Sequence, residues 1–216
     1  YDKTLTRAKI DLKTVNVDYR QSFSANKENK GKQVAVIEVS RFGEKTDEEW
    51  DKAVGEVLTR GVSGVIVDMR SNPGGLLSSS LHLAGEFIRG TVVQQEFSDG
   101  SKNSLPADHA GRLLKMPMVV LGNGGSASAA EIFSGAMQDN KRAKLVGEKT
   151  FGKGTVQDVI ELPGGSGLHI TIARWLTPKG NSIHHVGITP DIIVERADNE
   201  KEQNKDSQLE KALEII

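Results

Sequence analysis

The chain has 216 residues, of which 37% are hydrophobic and 26% charged, with a net charge of −1 at pH 7; that is enough for one sizeable core with a small appendage. The balanced charge, the scattered Lys and Arg and the 5% aromatic content exclude a charge-driven binder of nucleic acid or membrane surfaces and a platform for stacked bases. Having no cysteine, the protein has no disulfides, thiol nucleophiles or thiolate metal sites, and no apolar run approaches the ~20 residues of a membrane span.

The sequence begins at Tyr1 without a signal peptide, as a fragment or processed product would. Residues 4–19 (TLTRAKIDLKTVNVDY) alternate apolar and polar and predict a strand. A polar loop, 24–32, separates them from a strand at 33–39 (QVAVIEV). Residues 46–60 open with Thr46 and an acidic first turn and place Trp50, Val54, Val57 and Leu58 on one face, which predicts a helix. The almost wholly apolar run 62–69 predicts a strand buried on both faces.

After the tight turn SNPGG (71–75) come a helix at 76–89, a strand at 91–97, a polar hairpin around Asp99-Gly100 and a buried strand at 116–121. A third helix at 127–140 and a strand at 143–146 follow. Beyond Lys153 the pattern becomes alternating: 155–162 and 168–176, joined by PGGSG, predict a hairpin. Residues 188–195 predict a last strand, 198–205 a charged linker and 206–216 a terminal helix with Leu209, Leu213 and Ile216 in an apolar stripe. Strands alternating with helices predict an α/β core, and no internal repeat is present.

The stretch 124–157 carries the chemistry, and three readings compete for it. Gly147-x4-Gly152-Lys153 matches the start of a phosphate loop, but Gly154 stands where the magnesium-binding hydroxyl belongs. A phosphate loop must also open a helix, and TVQDVIEL is a strand pattern. A Ser-His-Asp hydrolase would need G-x-S-x-G, which Gly125-Ser126-Ala127-Ser128-Ala129 does not supply, and His82, His109, His169, His184 and His185 show no arrangement that marks a base. The third reading is a serine hydroxyl activated by a lysine. A serine needs an adjacent base, and a lysine serves as one only when desolvation lowers its own pKa. The glycine-flanked Lys153 in Thr150-Phe151-Gly152-Lys153-Gly154 suits that need. A serine at a helix start also has the positive end of the dipole at hand for an oxyanion.

In chain order, DMRSNPGG, GSASAAEI, QD, TFGKGTVQ and GITPDI together resemble the catalytic domain of the carboxyl-terminal processing (tail-specific) serine peptidases, over nearly the whole chain. The resemblance implies a Clp-protease/crotonase-like α/β core with strand-rich N- and C-terminal extensions. It implies Ser128, the second serine of SAS, as nucleophile and leaves Ser126 as a turn or capping residue. Lys153, 25 positions on, is then the base. Gln157 holds the lysine amine, with the two sharing a face if both lie on a strand. The N–H groups of Gly74 and Ala129 form the oxyanion hole. Asp139 matches a position where the family often has an aspartate, either supporting the site or bracing the helix end. Asp68 and Arg70 read as an ion pair or turn brace.

The implied function is an endopeptidase that cleaves protein or peptide substrates near a free C-terminus, with no metal or cofactor and no nucleic acid. The implied location is the bacterial periplasm or cell envelope, with a chloroplast lumen as the second option. A PDZ domain is expected in the full-length protein: residues 1–23 read as strands following one, 24–197 as the peptidase core, and 198–216 as linker and helix. Homo-oligomers through the chain ends are a further expectation. The alternatives are a latent or inactive peptide-binding scaffold on the same fold and an acyl-CoA enzyme of the crotonase type, which would share the oxyanion turn without needing the Ser-Lys pair.

Overall fold

The computed structural model describes residues 12–24, 30–197, 200 and 205–216, so the start of the first predicted strand, residues 4–11, lies outside the described residues. The elements run β1 Val15–Gln21, β2 Gln33–Val39, α1 Thr46–Arg60, β3 Gly64–Asp68, α2 Leu77–Gly85, β4 Thr91–Phe97, β5 Lys102–Pro106, β6 Met118–Gly122, α3 Ala129–Asp139, β7 Lys144–Gly147, β8 Thr155–Leu162, β9 Ser166–Leu176, β10 Ile192–Ile193 and α4 Ser207–Ile215. Six strands form one sheet in the order β1-β2-β3-β6-β7-β10, and four form a second in the order β5-β4-β9-β8. In the first sheet β1 runs antiparallel to β2 and the other neighbours are parallel. The second sheet is antiparallel throughout.

The central strands β3 and β6 are apolar except for Asp68 at the end of β3, because both of their faces are covered. Val65 and Val67 of β3 join the larger core with Trp50, Val54, Leu83 and Phe133, whereas Ile66 turns to the opposite face and packs with Ala212, Leu213 and Ile216. The terminal stripe is therefore spent on the sheet: Leu213 and Ile216 are buried, and Leu209 is packed against them. None of the described helices is long and apolar enough to cross a membrane.

Three elements differ from their sequence pattern: the last strand, expected over 188–195, is reduced to Ile192–Ile193, which pair with Val146 and Gly147 of β7. The first described strand begins at Val15 because the N–H groups of Thr14 and Val15 donate to Glu49 Oε2, at 2.7 and 3.0 Å, and not to a ladder. Helix α2 ends at Gly85 instead of continuing to Arg89, since Glu86 turns inward, fully buried, to accept the Arg112 N–H (2.7 Å) and Nε–H (2.9 Å).

Arg70, just past β3, fastens α4 to the sheet. Its Nε donates to Asp68 Oδ1 at 2.9 Å, and its two terminal nitrogens reach Asp206 Oδ1 and Oδ2 at 2.8 and 2.9 Å. Asp206 in turn caps α4 by accepting the Leu209 N–H at 3.0 Å. Burial disfavours the Arg70 charge, but the two carboxylates outweigh it and hold its pKa above the ordinary value. Burial likewise works against Asp206, yet Arg70 and the Leu209 N–H hold its pKa below the ordinary value of 3.8. Stability from a depressed carboxylate is fully present above the unfolded-state value and is lost as pH falls through the folded one. Arg70→Met strips two largely buried carboxylates of their counter-charge and is expected to cost about 3 kcal/mol in denaturant unfolding at pH 7. It should also flatten the acid side of the stability profile, below pH ~4.

Candidate active site

Strands β3, β6 and β7 lie side by side and parallel, so their carboxyl ends open on one edge, where α/β sheets place their ligands. The three motif segments leave from those ends: residues 69–76 from β3, 123–128 from β6 and 148–154 from β7. The fold thus converges stretches that are far apart in the chain.

The β6 turn separates the two serines. Ser126 is fully buried; its Oγ donates to the Met69 carbonyl at 2.7 Å and accepts the Asn123 N–H at 3.0 Å. Its hydroxyl is committed to joining the β3 and β6 turns. Ser128 is partly exposed and stands at the N-terminus of α3 with φ 55° and ψ −116°. For a non-glycine residue this is a sparsely populated conformation that costs on the order of 1–3 kcal/mol and is found where a site demands it.

The β3 turn closes on the same point. The Ala127 N–H donates to the Asn72 carbonyl at 2.9 Å, and buried Asn72 reaches Val39 through Nδ2 at 2.7 Å. Gly74, at φ +96°, must be glycine: a Cβ there would stand 2.7 Å from Ser128 Cβ and 3.0 Å from the Ala129 nitrogen. Both candidate oxyanion donors therefore border Ser128. The Ala129 N–H, at the first position of α3, has no intrahelical acceptor to satisfy. The Gly74 N–H donates to Asn72 Oδ1 at 2.8 Å and is open to another acceptor only if that bond is shared or released.

Glu131 is the residue the motif reading missed, and it ties the site together. Its side chain is fully buried at the third position of α3 and accepts four hydrogen bonds. Oε1 takes the Thr150 hydroxyl and the Gly152 N–H, both at 2.6 Å, while Oε2 takes the Ser128 N–H at 2.9 Å and the Lys153 N–H at 2.8 Å. One oxygen therefore holds the main-chain nitrogens of Ser128 and Lys153 within two hydrogen-bond lengths of each other. A signal was available, because Ser128-Ala129-Ala130-Glu131 has the S-x-x-E spacing of a capping box. Thr150 also accepts the Ile188 N–H at 2.7 Å, which links the GITPDI segment to the lysine loop.

The lysine loop packs backbone to backbone. A Cβ on Gly154 would fall 2.3 Å from the His184 nitrogen, and the His185 N–H donates to the Gly152 carbonyl at 2.9 Å. Lys153 is exposed. Strand β8, not a helix, follows it, in keeping with the rejected phosphate-loop reading. Gln157 lies exposed on β8, but the shared-face argument does not hold as stated. Lys153 precedes the strand, and a register shift between Val156 and Gln157 interrupts the alternation.

Asp139 sits at the other end of α3, roughly 16 Å along the helix from Ser128 at about 1.5 Å per residue. Its Oδ2 accepts the Lys179 N–H at 2.9 Å and pins the turn after β9. Asp191, in GITPDI, is a second brace there. Burial opposes its charge, but the Leu145 N–H (2.9 Å), Lys144 (3.0 Å) and Gln138 (3.1 Å) hold its pKa below the ordinary value.

Against this geometry, residues 33–194 match the model of Peptidase family S41, and the chain belongs to that family. It is 40% identical over 194 residues to a carboxyl-terminal-processing protease of Synechocystis, covering 89% of this chain and 44% of that protein. To the carboxy-terminal processing protease CtpA of Bacillus subtilis it is 37% identical over 202 residues, with 93% and 41% covered. Among solved structures, a photosystem II D1 C-terminal processing protease superposes with a TM-score of 0.80 at 33% identity, covering 88% of this chain and 50% of that one. The architecture is the Clp-protease/crotonase-like α/β core. The chain spans under half the length of these curated relatives.

Glu131→Gln is the direct probe of the four-bond hub. The amide NH2 faces donors whichever way it is turned, so two buried N–H or O–H groups lose their acceptor. The variant is expected to fold with a loss of about 3 kcal/mol, read by denaturant unfolding beside its circular dichroism spectrum.

Proposed function

We propose that this chain is the core of a serine endopeptidase that processes protein substrates near their C-termini. Ser128 is the nucleophile, Lys153 the base and Gln157 the residue that positions the lysine amine. The observation that carries this reading is the shared oxygen of Glu131, which draws the Ser128 and Lys153 backbones together while the Ser126 hydroxyl is used elsewhere. In the reaction the Lys153 amine takes the Ser128 Oγ proton as Oγ attacks the scissile carbonyl carbon. The resulting oxyanion accepts the N–H groups of Ala129 and Gly74. Lys153 then returns the proton to the leaving amine, and a water attacks the acyl-enzyme in the reverse sense.

The substrate adds as a strand. β8 stands at the edge of the four-stranded sheet and begins two residues after Lys153, so an extended peptide paired along it passes both Lys153 and Gln157. Cover from that peptide would take the exposed Lys153 out of water, as a lysine base requires. A free C-terminus, delivery by a PDZ domain elsewhere in the full-length protein, homo-oligomers and an exported location in the bacterial periplasm or cell envelope, or a chloroplast lumen, complete the proposal. The carboxyl-terminal processing activity of the bacterial relatives supports it.

A latent form is the second reading. Two observations favour it for the free core: the exposed Lys153 and the Gly74 N–H already held by Asn72. A fluorophosphonate probe separates the two, since label at Ser128 marks an assembled site. Cleavage of an unfolded protein is expected to fall at least ~10⁴-fold in Ser128→Ala and in Lys153→Ala. Ser126→Ala should instead cost roughly 1–3 kcal/mol of stability and leave the folded fraction reactive. Loss of cleavage in Ser126→Ala with full cleavage in Ser128→Ala would overturn the assignment.

A further inference from the structure

Two of the histidines that the sequence left unrelated meet in the fold. His82, on α2, and His109, on the segment after β5, stack with ring centroids 4.7 Å apart and planes at 30°. The stack depends on Gly85, because a Cβ there would come within 2.7 Å of His109 Nδ1. Asp108 bridges the two Nδ1 atoms, with Oδ2 3.5 Å from His82 Nδ1 and Oδ1 2.6 Å from His109 Nδ1. One ligand atom from each of these three residues falls within 4.8 Å of the other two.

The outward ring nitrogens are the second observation. The Nε2 atoms of His82 and His109 are both shut off from solvent and have no hydrogen-bond partner among the described residues. Each instead faces a carboxylate: His82 Nε2 lies 3.5 Å from Asp51 Oδ1, and His109 Nε2 lies 3.6 Å from Glu86 Oε1. Those carboxylates do not drift, because Arg112 holds both, with Asp51 Oδ1 at 2.7 Å from Nη2 and Glu86 Oε1 at 2.9 Å from Nε. Buried polar atoms without partners are rare in native proteins and call for an explanation.

A metal explains the whole pattern. A histidine that ligates through one ring nitrogen directs the N–H of the other at a carboxylate, which fixes ring and tautomer. Here both Nδ1 atoms face a common carboxylate, and both Nε2 atoms face a carboxylate of their own. We propose that His82 Nδ1, His109 Nδ1 and the Asp108 carboxylate bind one divalent cation of the zinc class, with Asp51 and Glu86 orienting the imidazoles and water completing the coordination. Two imidazoles and one carboxylate are a donor set that suits zinc and its neighbours and not calcium or magnesium. Tetrahedral bonds of about 2.1 Å place ligands ~3.4 Å apart, close to the 3.5 Å between His82 Nδ1 and Asp108 Oδ2, whereas His109 Nδ1 is hydrogen-bonded at 2.6 Å to the other oxygen, Oδ1, and exchanges that bond for the ion. The ion would staple α2, which starts just past the Asn72-Pro73-Gly74-Gly75 turn, to the segment after β5. No step of the peptidase chemistry passes through it, and the inference stands apart from that reading.

The test uses the whole chain, freed of metal by a chelator and titrated with zinc chloride by calorimetry and with cobalt chloride by absorbance. The expected result is one ion per chain at micromolar affinity or tighter, a raised Tm and the intense visible bands of tetrahedral cobalt. His82→Gln and His109→Gln should each weaken binding at least ~10-fold, and Asp51→Asn about 10-fold. His184→Gln, a control in the other histidine pair (ring centroids 3.8 Å apart), should leave affinity unchanged. Because His109 packs on Gly85 and its variant could unfold, His82→Gln decides the matter once its circular dichroism shows it folded, together with ¹⁵N shifts that report ligation at Nδ1. No binding at millimolar zinc, unchanged affinity in folded His82→Gln, or ligation through Nε2 would each overturn the proposal.

Discussion

The site depends on one buried carboxylate. Glu131 lies out of water at the start of α3 and answers four donors, which come from the serine turn and from Thr150, Gly152 and Lys153 of the lysine loop. Burying a carboxylate is costly unless its oxygens are fully used, and here the structure uses them to hold two loops together. The same contact accounts for how Ser128 stays in a conformation that an isolated chain would leave: its N–H has an acceptor only where that φ and ψ direct it.

Outer layers of the fold support this point. The β3 turn is tied to the serine turn through Asn72 and Ser126 and to α4 through Arg70. The C-terminal helix thus packs on the far face of the sheet while its cap is linked to the segment that carries Gly74. On the other side, Ile188 and His185 grip the lysine loop through backbone bonds that leave no room for side chains at Gly154. Rigid parallel strands bring three turns to one edge, and short, fully bonded contacts fix the turns against each other.

Much of this was legible in the sequence where local pattern suffices. The apolar runs of β3 and β6 announce burial on both faces, and the PGGSG hairpin and the third helix fall where their turn and capping residues place them. The choice of Ser128 and Lys153 came from motif resemblance, and the burial of Ser126 is consistent with it. What escaped was tertiary. Nothing in the alternation of β8 shows the register shift before Gln157. A glutamate inside an apolar helix reads as exposed until the loop that buries it is known. That His82 and His109, 27 positions apart, share one carboxylate is visible only when α2 and the segment after β5 are brought together.

If Glu131 positions Ser128 and Lys153 as a reacting pair, an adduct on the serine captures that pairing. The most direct measurement is a crystal structure of the chain with a phosphonate bonded to Ser128. The expected structure has a phosphonyl oxygen within hydrogen-bond reach of the Ala129 and Gly74 N–H groups, Lys153 Nζ roughly 2.6–3.2 Å from Ser128 Oγ, and all four Glu131 bonds intact. An adduct on Ser126, or a Ser128 adduct whose Lys153 stays in solvent while the Glu131 contacts persist, would contradict it.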